Sequence, residues 1–174
     1  MFFHRKLYFA EFVALMLLLA GCGGTSHVSS NSSQVPAYEI EQVRVAQNGS
    51  RFVKVWAVAG NADKAIDEAM SSAVEACLFK GIEANGAAGY VPPLCPDGIE
   101  AYKANKAYFD HFFKGDHLLY VTRANSKYPT GEDNISYHGM RRVGVYVQLK
   151  VSDLRRRMEK DGIIKSLDNI WEIK

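Results

Sequence analysis

The side chains best suited to chemistry in this sequence are those of three cysteines, Cys22, Cys77 and Cys95. A cysteine thiolate is a nucleophile and a metal ligand, and it can be alkylated or oxidised to a disulfide. The sequence contains no C-x-x-C pair, and no histidine lies close in sequence to Cys77 or Cys95. The surroundings of each cysteine therefore indicate which of these reactions it favours.

Cys22 follows a segment with the features of a bacterial export signal. Arg5 and Lys6 form a basic start, and residues 12–19 form an apolar run that is too short to span a bilayer comfortably. The sequence LAGC at positions 19–22 resembles the lipobox of bacterial lipoproteins, in which an aliphatic and two small residues precede a cysteine. This resemblance implies cleavage between Gly21 and Cys22, and a thioether-linked diacylglycerol on Cys22, with palmitate among the expected acyl chains.

An export signal with an incidental cysteine is the alternative interpretation of this segment. If the lipobox operates, the residue after the cysteine often decides the destination, and Asp there is the usual signal for retention in the inner membrane. Gly23 occupies that position, and residues 24–29 contain no acidic cluster of the kind that directs some lipoproteins to the cell surface. We therefore expect a lipoprotein anchored in the outer membrane and facing the periplasm.

Length and composition indicate one soluble domain behind this signal. The chain has 174 residues, of which 48% are hydrophobic and 23% charged. Residues 1–21 are the expected signal peptide, residues 22–34 a polar flexible tether, and residues 35–174 a single domain. Removing the signal takes away two basic residues and one acidic residue, which leaves a net charge of +1. Such a balance offers no electrostatic attraction for nucleic acid.

The domain is predicted to open with a β-hairpin. Residues 38–46 alternate between apolar and polar types, with a slip at Gln42 that suggests a bulge. Asn48-Gly49 follows and is typical of a two-residue hairpin turn. Residues 51–59, rich in valine and aromatic residues, give the second strand.

Two helices and a long loop are predicted next. Asn61 can cap a helix that ends before Gly81 and presents an alanine-rich face. Residues 81–98 are rich in glycine and proline and form a loop, and residues 99–114 give a second helix with several aromatic side chains on one side.

The remainder of the chain supplies two strands and a last helix. Residues 117–123 and 142–151 read as strands, and Ser152 is placed to cap a short helix that Gly162 stops. Residues 163–174 form an apolar tail that needs a packing surface. The element order ββααββα predicts an α+β domain in which a four-stranded antiparallel sheet carries its helices on one face.

Cys77 and Cys95 form an even pair in a chain predicted to be exported. Because the compartments outside the inner membrane are oxidising, we expect a disulfide that joins the first helix to the 81–98 loop. The alternative is a buried Cys77 thiol on the apolar helix face and a free, exposed Cys95 thiol.

No catalytic, metal or cofactor residue is predicted. Asp110-His111 and Asp116-His117 invite a metal-site interpretation, but their spacing is not one of the common zinc patterns. The arginines at 141–142 and 155–157 are expected on a solvated face, with acidic lipid headgroups or a partner as the alternative contact. Glycine-rich phosphate loops, G-x-S-x-G and H-E-x-x-H are all absent from the sequence.

Two segments carry a family resemblance: VKVWAVAGNADKAIDEAMSSAVEACLFKGI and VGVYVQLKVSDLRRRMEKDGIIKSL. Together with the lipobox, this pattern is similar to an uncharacterised group of Gram-negative cell-envelope lipoproteins, over most of residues 53–167. More distantly, the alanine-rich helix after a strand and the final V-x-V-x-x-L before a charged helix resemble Lpp20-type lipoproteins. The resemblance implies an envelope location and supplies no catalytic residues.

These observations lead to two expectations about function. The first is a non-enzymatic binding or assembly module, held at the membrane by its lipid and joined to a protein partner in the envelope. The second is a periplasmic small-ligand binder or enzyme that uses the 81–98 loop as a lid, with Tyr90, Asp97, Asp110 and His111 nearby. If the second holds, these four side chains should line one concave pocket.

Overall fold

A computed structural model describes residues 39–46 and 48–166. The predicted signal peptide, the cleavage site at Gly21 and Cys22, the tether and the end of the apolar tail lie outside the described residues. Among the residues that are described, no helix is both long enough and apolar enough to cross a bilayer.

The predicted hairpin is present and consists of β1 (Glu39–Val45) and β2 (Arg51–Ala59). The Ala46 N–H donates to the Ser50 carbonyl at 2.9 Å, so three residues, and not the predicted two, make the connection. Gly49 has a φ of 77°, as the last position of such a loop requires. The pairing of β1 with β2 shifts register between Gln42 and Arg44, which confirms the bulge.

Among the described residues the sheet has five strands, and the predicted number of four was wrong. Its order is β1-β2-β5-β3, with β3 (Val121–Arg123) and β4 (Asn134–Tyr137) both pairing with β5 (Met140–Leu149), and every pair is antiparallel. The sequence analysis missed β4 because its four residues, NISY, are short and largely polar. His138 and Gly139 connect β4 to β5 in a two-residue turn, with φ values of 47° and 79°. The turn lacks the Asn-Gly or Asp-Gly dipeptide that is the usual sequence signal of such a hairpin.

Helix α1 (Ala62–Glu75) is the best predicted element. The side chain of Asn61 accepts a hydrogen bond from the Lys64 N–H at 2.9 Å, as expected of its cap. A π-helical turn at Ala76–Lys80 extends this helix, and Gly81 follows its end.

The second predicted helix is broken into α2 (Ile99–Ala104) and α3 (Lys106–Phe112) at Asn105, whose φ and ψ are −118° and 33°. The segment predicted to be a strand from residue 117 starts with a 3₁₀ turn, Asp116–Leu119. Helix α4 (Val151–Lys160) begins one residue before Ser152, and no side chain caps it, so the predicted cap was wrong.

One hydrophobic core lies between the sheet and α1, which packs across β2 and β5. Alternate residues of the two central strands point into it, as the two-residue period of a strand dictates. Phe109 and Phe112 of α3, together with Leu154 and Met158 of α4, close the same core. The buried apolar residues of β2 and β5 are Val53, Val55, Ala57, Val143, Val145, Val147 and Leu149.

The edge strand β1 does not follow the predicted pattern of burial. Val43 and Val45 are 48% and 45% exposed, whereas Gln42 is 1% exposed. The amide Nε2 of Gln42 donates to the carbonyls of Glu83 at 2.7 Å and Gly89 at 3.0 Å. Gln42 therefore points inward because it supplies the hydrogen bonds that hold the long loop against the sheet.

The segment 81–98 is a packed loop. Ile82 and Val91 exchange both backbone hydrogen bonds, at 2.8 and 2.9 Å, and both side chains are buried. Leu94 N–H donates to the Cys77 carbonyl and Cys95 N–H to the Leu78 carbonyl, which join the loop to the end of the π-helical turn.

Cys77 and Cys95 are both free and buried in this structure. The predicted disulfide is therefore not present, and the alternative was also wrong in placing Cys95 on the surface. Both thiols pack in the core between the first helix and the loop, where backbone hydrogen bonds already provide the connection that a disulfide was expected to make.

Candidate functional site

The face of the sheet opposite α1 carries the most distinctive group of side chains in the described structure. We call it the open face. It is formed by the residues of β2 and β5 that alternate with the core positions, and by their partners on β1 and β4. Its residues are Glu39, Glu41, Arg44, Phe52, Lys54, Trp56, Val58, Ile135, Tyr137, Met140, Arg142, Gly144, Tyr146 and Gln148.

Cations and aromatic rings alternate across the open face. The guanidinium of Arg142 lies 4.0 Å from the centre of the Trp56 ring, and the Lys54 ammonium lies 4.5 Å from it. Lys54 is also 5.0 Å from the Tyr146 ring. At the neighbouring edge, Arg44 lies 4.0 Å from the Phe52 ring. Such contacts hold rings and cations together by electrostatic attraction to the π-system.

Gly144 determines where the Trp56 ring lies. A Cβ atom built at Gly144 would be 2.9 Å from both Cη2 and Cζ3 of Trp56, and 3.0 Å from Cε of Lys54. Only glycine at this position leaves room for the indole to lie against the strand. The position faces Trp56 directly in the pairing of β2 with β5.

Two ion pairs fix the cations. The Lys54 ammonium lies 2.7 Å from a carboxylate oxygen of Asp133, and the Arg142 guanidinium lies 2.6 Å from a carboxylate oxygen of Glu39. Burial by itself would lower the Lys54 pKa. Hydrogen bonds to Asp133 and Tyr146 outweigh this effect, so the Lys54 pKa is raised. Lys54 therefore stays charged at neutral pH.

The end of the open face beside the β4–β5 turn is apolar. Val58, Ile135, Tyr137 and Met140 are 37%, 39%, 45% and 42% exposed. Strand register places Val58 and Ile135 on either side of Arg142, and Tyr137 opposite Met140. Four neighbouring exposed apolar side chains form a patch, which has more significance than the same residues scattered singly.

A small polar cavity of about 170 Å³ adjoins the open face. Arg123, Lys127 and Tyr128 line it from one side, and Asp133 and Tyr146 from the other. Its volume is below that of an ordinary small-molecule pocket.

The four residues named for a lid-covered site do not come together in either cavity found here. Neither the 170 Å³ cavity nor a larger one of about 370 Å³ is lined by Tyr90, Asp97, Asp110 or His111. The Asp110 carboxylate accepts from the Tyr102 hydroxyl at 2.7 Å and from Lys106 at 2.5 Å. These bonds, made within α2 and α3, lower the Asp110 pKa, with Lys106 as the largest cause.

Sequence reasoning missed one contact, between a serine and a histidine. Their separation is typical of a catalytic nucleophile and its general base. Nε2 of His117 lies 3.0 Å from Oγ of Ser71. Ser71 is on α1, and its hydroxyl also lies 3.1 Å from the Asp67 carbonyl. Burial lowers the pKa of His117 and keeps the ring neutral. The pair joins the 3₁₀ turn to α1.

The buried cysteines are poor nucleophiles. Burial raises the pKa of Cys77 to about 12 and that of Cys95 to about 11. Because only the thiolate reacts readily, both residues are unreactive at neutral pH while the core stays closed.

The arginine run at 155–157 and the residues considered for a metal site are the remaining candidates from the sequence. Arg156 pairs with Asp153, and Arg157 pairs with Asp161 and with Asp116, so acids on and beside α4 balance the arginine run. Within the described ranges, no group of three or more His, Cys, Asp or Glu side chains is placed to hold a metal ion.

Comparison with known proteins provides no guide to these features. No family model, no curated protein and no solved structure matches the chain.

Proposed function

We propose that this chain is a lipid-anchored binding or assembly module of the bacterial cell envelope, and that its open face is the surface that contacts a protein partner. The anchor is the lipid on Cys22, in the outer membrane and directed towards the periplasm. No catalytic step is part of the proposal.

The observation that carries the proposal is the composition of the open face. Protein interfaces are enriched in tryptophan, tyrosine, phenylalanine, methionine and arginine, and their cores contain few unpaired charges. The open face carries all five residue types, and its two central cations are paired with Asp133 and Glu39. Trp56, held between Lys54 and Arg142, has the central position and the residue type expected of an energetic hot spot.

The charges of this face favour a partner with an acidic rim. Arg44 is exposed and has no acid paired with it among the described residues, whereas Asp133 and Glu39 are engaged with Lys54 and Arg142, and Glu41 accepts a hydrogen bond from Asn85. A carboxylate on the partner would meet Arg44, while apolar side chains would cover Ile135 and Met140.

The test is a crosslinking pull-down from intact envelopes with the full chain and an Ile135→Lys, Met140→Lys variant. Both positions are largely exposed, so the fold should be unaffected, and charges placed in the apolar patch should abolish recovery of partners. The matched control is Leu118→Lys, since Leu118 is 48% exposed and lies in the 3₁₀ turn, outside the sheet.

A Cys22→Ala chain adds a second arm to the same experiment. Partners that are recovered with the lipidated chain and lost without the lipid indicate an anchor-dependent assembly. Equal recovery of the same partners by the native chain and by the double lysine variant would contradict a role for the open face.

The lid-covered binder or enzyme is the second candidate. It requires residues 81–98 to open, which would break the bonds from Gln42 to the loop carbonyls and expose Ile82 and Val91. The geometry therefore favours the open face over the loop.

A further inference from the structure

The larger cavity, of about 370 Å³, lies where the β1–β2 turn meets the start of α4. It is separate from the apolar patch of the open face, and every residue in its lining is of a polar type. The lining residues are Asn48, Ser50, Gln148, Lys150, Ser152, Asp153 and Arg156.

The N-terminus of α4 opens onto this cavity. The first amides of a helix have no partner within the helix and carry a partial positive charge. No side chain caps α4, which is ten residues long. Gly49 lets the turn approach closely, because a Cβ there would be 2.9 Å from Oγ of Ser152.

Ser50 is an independent indication of a ligand. The residue is 3% exposed and lines the cavity. Its N–H donates to Oδ1 of Asn48 at 3.1 Å and its carbonyl accepts from Ala46, but its hydroxyl makes no hydrogen bond to any described residue. A buried polar group usually has a partner, and here the cavity is the place for one.

Two cations and one carboxylate surround these donors, which leaves the lining with a net charge of +1. Lys150 donates to the Leu119 carbonyl at 3.1 Å, and Arg156 pairs with Asp153. The Arg156 side chain is 75% exposed, so it can turn from Asp153 towards a ligand at little cost. Its planar fork suits an oxyanion with two oxygens side by side.

We propose that this cavity binds a phosphate group carried by a small polar molecule. The uncapped helix amides, the hydroxyls of Ser50 and Ser152, and the charges of Lys150 and Arg156 together match a tetrahedral oxyanion with several acceptor oxygens. The volume exceeds that of phosphate alone and leaves room for a group of the size of glycerol or a sugar. Such a phosphate can belong to a soluble monoester or to a phospholipid headgroup.

The test is a titration of the full chain, in nonionic detergent at constant ionic strength set with chloride, with glycerol 3-phosphate and with inorganic phosphate. Binding is followed by the backbone amide NMR signals of Ser50, Ser152 and Asp153. We expect saturable shifts at these amides. Arg156→Gln should weaken binding about fivefold or more, as the loss of one charge-assisted hydrogen bond implies.

Two further variants distinguish a specific binding site from nonspecific electrostatic attraction. Ser50→Ala should also weaken binding, whereas Arg155→Gln should not, since Arg155 pairs with Glu159 and does not line the cavity. Shifts that fail to saturate, or that are unchanged in Arg156→Gln and Ser50→Ala, would overturn the proposal.

Vesicles then distinguish the source of the phosphate. If phosphatidylglycerol vesicles perturb the same amides and compete with glycerol 3-phosphate, the natural ligand class is a phospholipid headgroup. If they do not compete while glycerol 3-phosphate still saturates the site, the ligand is a soluble monoester. The open-face variant Ile135→Lys, Met140→Lys should bind glycerol 3-phosphate normally, so failure here and failure of the proposed partner surface can be told apart.

Discussion

Single side chains show how burial sets the chemistry of this domain. Cys77 and Cys95 were expected to be oxidised, yet both lie in the core as protonated thiols. The sequence shows two cysteines in a chain predicted to be exported, but it contains no information on whether their Cβ vectors meet. Gln42 behaves similarly, because its partners Glu83 and Gly89 are more than 40 residues away.

Glu75 provides a pH-dependent prediction at the residue scale. Burial is the main cause that raises its pKa from an ordinary value of 4.5 to about 7. Below pH 4.5 both the folded and the unfolded chain hold the proton. Between pH 4.5 and 7 only the unfolded chain releases it, so the free energy of unfolding falls over this window. Above pH 7 the loss is complete.

Glu75→Gln should therefore match the native chain below pH 4.5 and exceed it above pH 7, by about 1–2 kcal/mol once partial exposure of the side chain is allowed for. Urea denaturation at pH 4 and pH 8 measures the difference. The exposed Glu132→Gln is the control and should follow the native chain at both pH values, because it keeps Glu75. An equal decline of stability with pH in Glu75→Gln and in the native chain would contradict the assignment.

A substitution at Gly144 tests how closely the Trp56 ring packs against β5. In Gly144→Ala the new methyl would overlap the Trp56 ring, which is confined by Arg142 and Lys54. We expect a loss of about 1–3 kcal/mol in unfolding free energy together with a change in tryptophan fluorescence. Gly60→Ala is the matched control, because a Cβ there meets nothing within 4 Å. Unchanged stability and fluorescence in Gly144→Ala would mean that the ring does not lie on this glycine.

At the scale of elements, the hairpin, α1, β5 and α4 were predictable, whereas β4 and the break in the second predicted helix were not. Helix α1 has a capping asparagine, a regular apolar face and a glycine after its end, and all three signals are local. Strand β4 and the break at Asn105 have no such signals. The four residues of β4 form a strand because β5 provides a partner for them, and β5 is far longer than the β3 strand that shares its edge.

Gln42→Ala is the prediction for the loop element. Removing the amide leaves the carbonyls of Glu83 and Gly89 without a donor, at a cost of about 2–4 kcal/mol in unfolding free energy. Hydrogen exchange at the Ile82 and Val91 amides should accelerate most, since these amides hold the loop together. Val43→Ala, one residue along on the exposed bulge, should change stability by less than about 0.5 kcal/mol. Unaltered protection of the two loop amides in Gln42→Ala would show that the loop is held by its apolar contacts alone.

At the scale of the whole molecule, we predict that location depends on residues 19–23 and that function depends on surfaces assembled from distant parts of the chain. The lipobox predicts that Cys22→Ala abolishes lipid attachment and recovery in the outer membrane, which membrane fractionation followed by immunoblotting can measure. The chain should stay as an uncleaved precursor that keeps its apolar signal segment, or move to a soluble fraction.

Gly23→Asp should keep the lipid and redirect the chain from the outer to the inner membrane, which density-gradient separation of the two membranes detects. Ser29→Ala, further along the tether, serves as the control and should leave the distribution unchanged. Recovery of Cys22→Ala in the outer membrane at native levels would contradict lipidation at this residue.

The amino-acid sequence by itself determined the expected cellular location, the hairpin, α1 and the mixed α+β class, since each depends on short-range patterns of residue types. Only the tertiary structure decided what lies on the open face and in the polar cavity. The pair of Arg142 with Glu39 joins residues 103 apart, and the cavity joins a turn near residue 49 to a helix that begins at residue 151. Such contacts form when strands align in one register, because a shift of a single residue would turn every side chain to the other face.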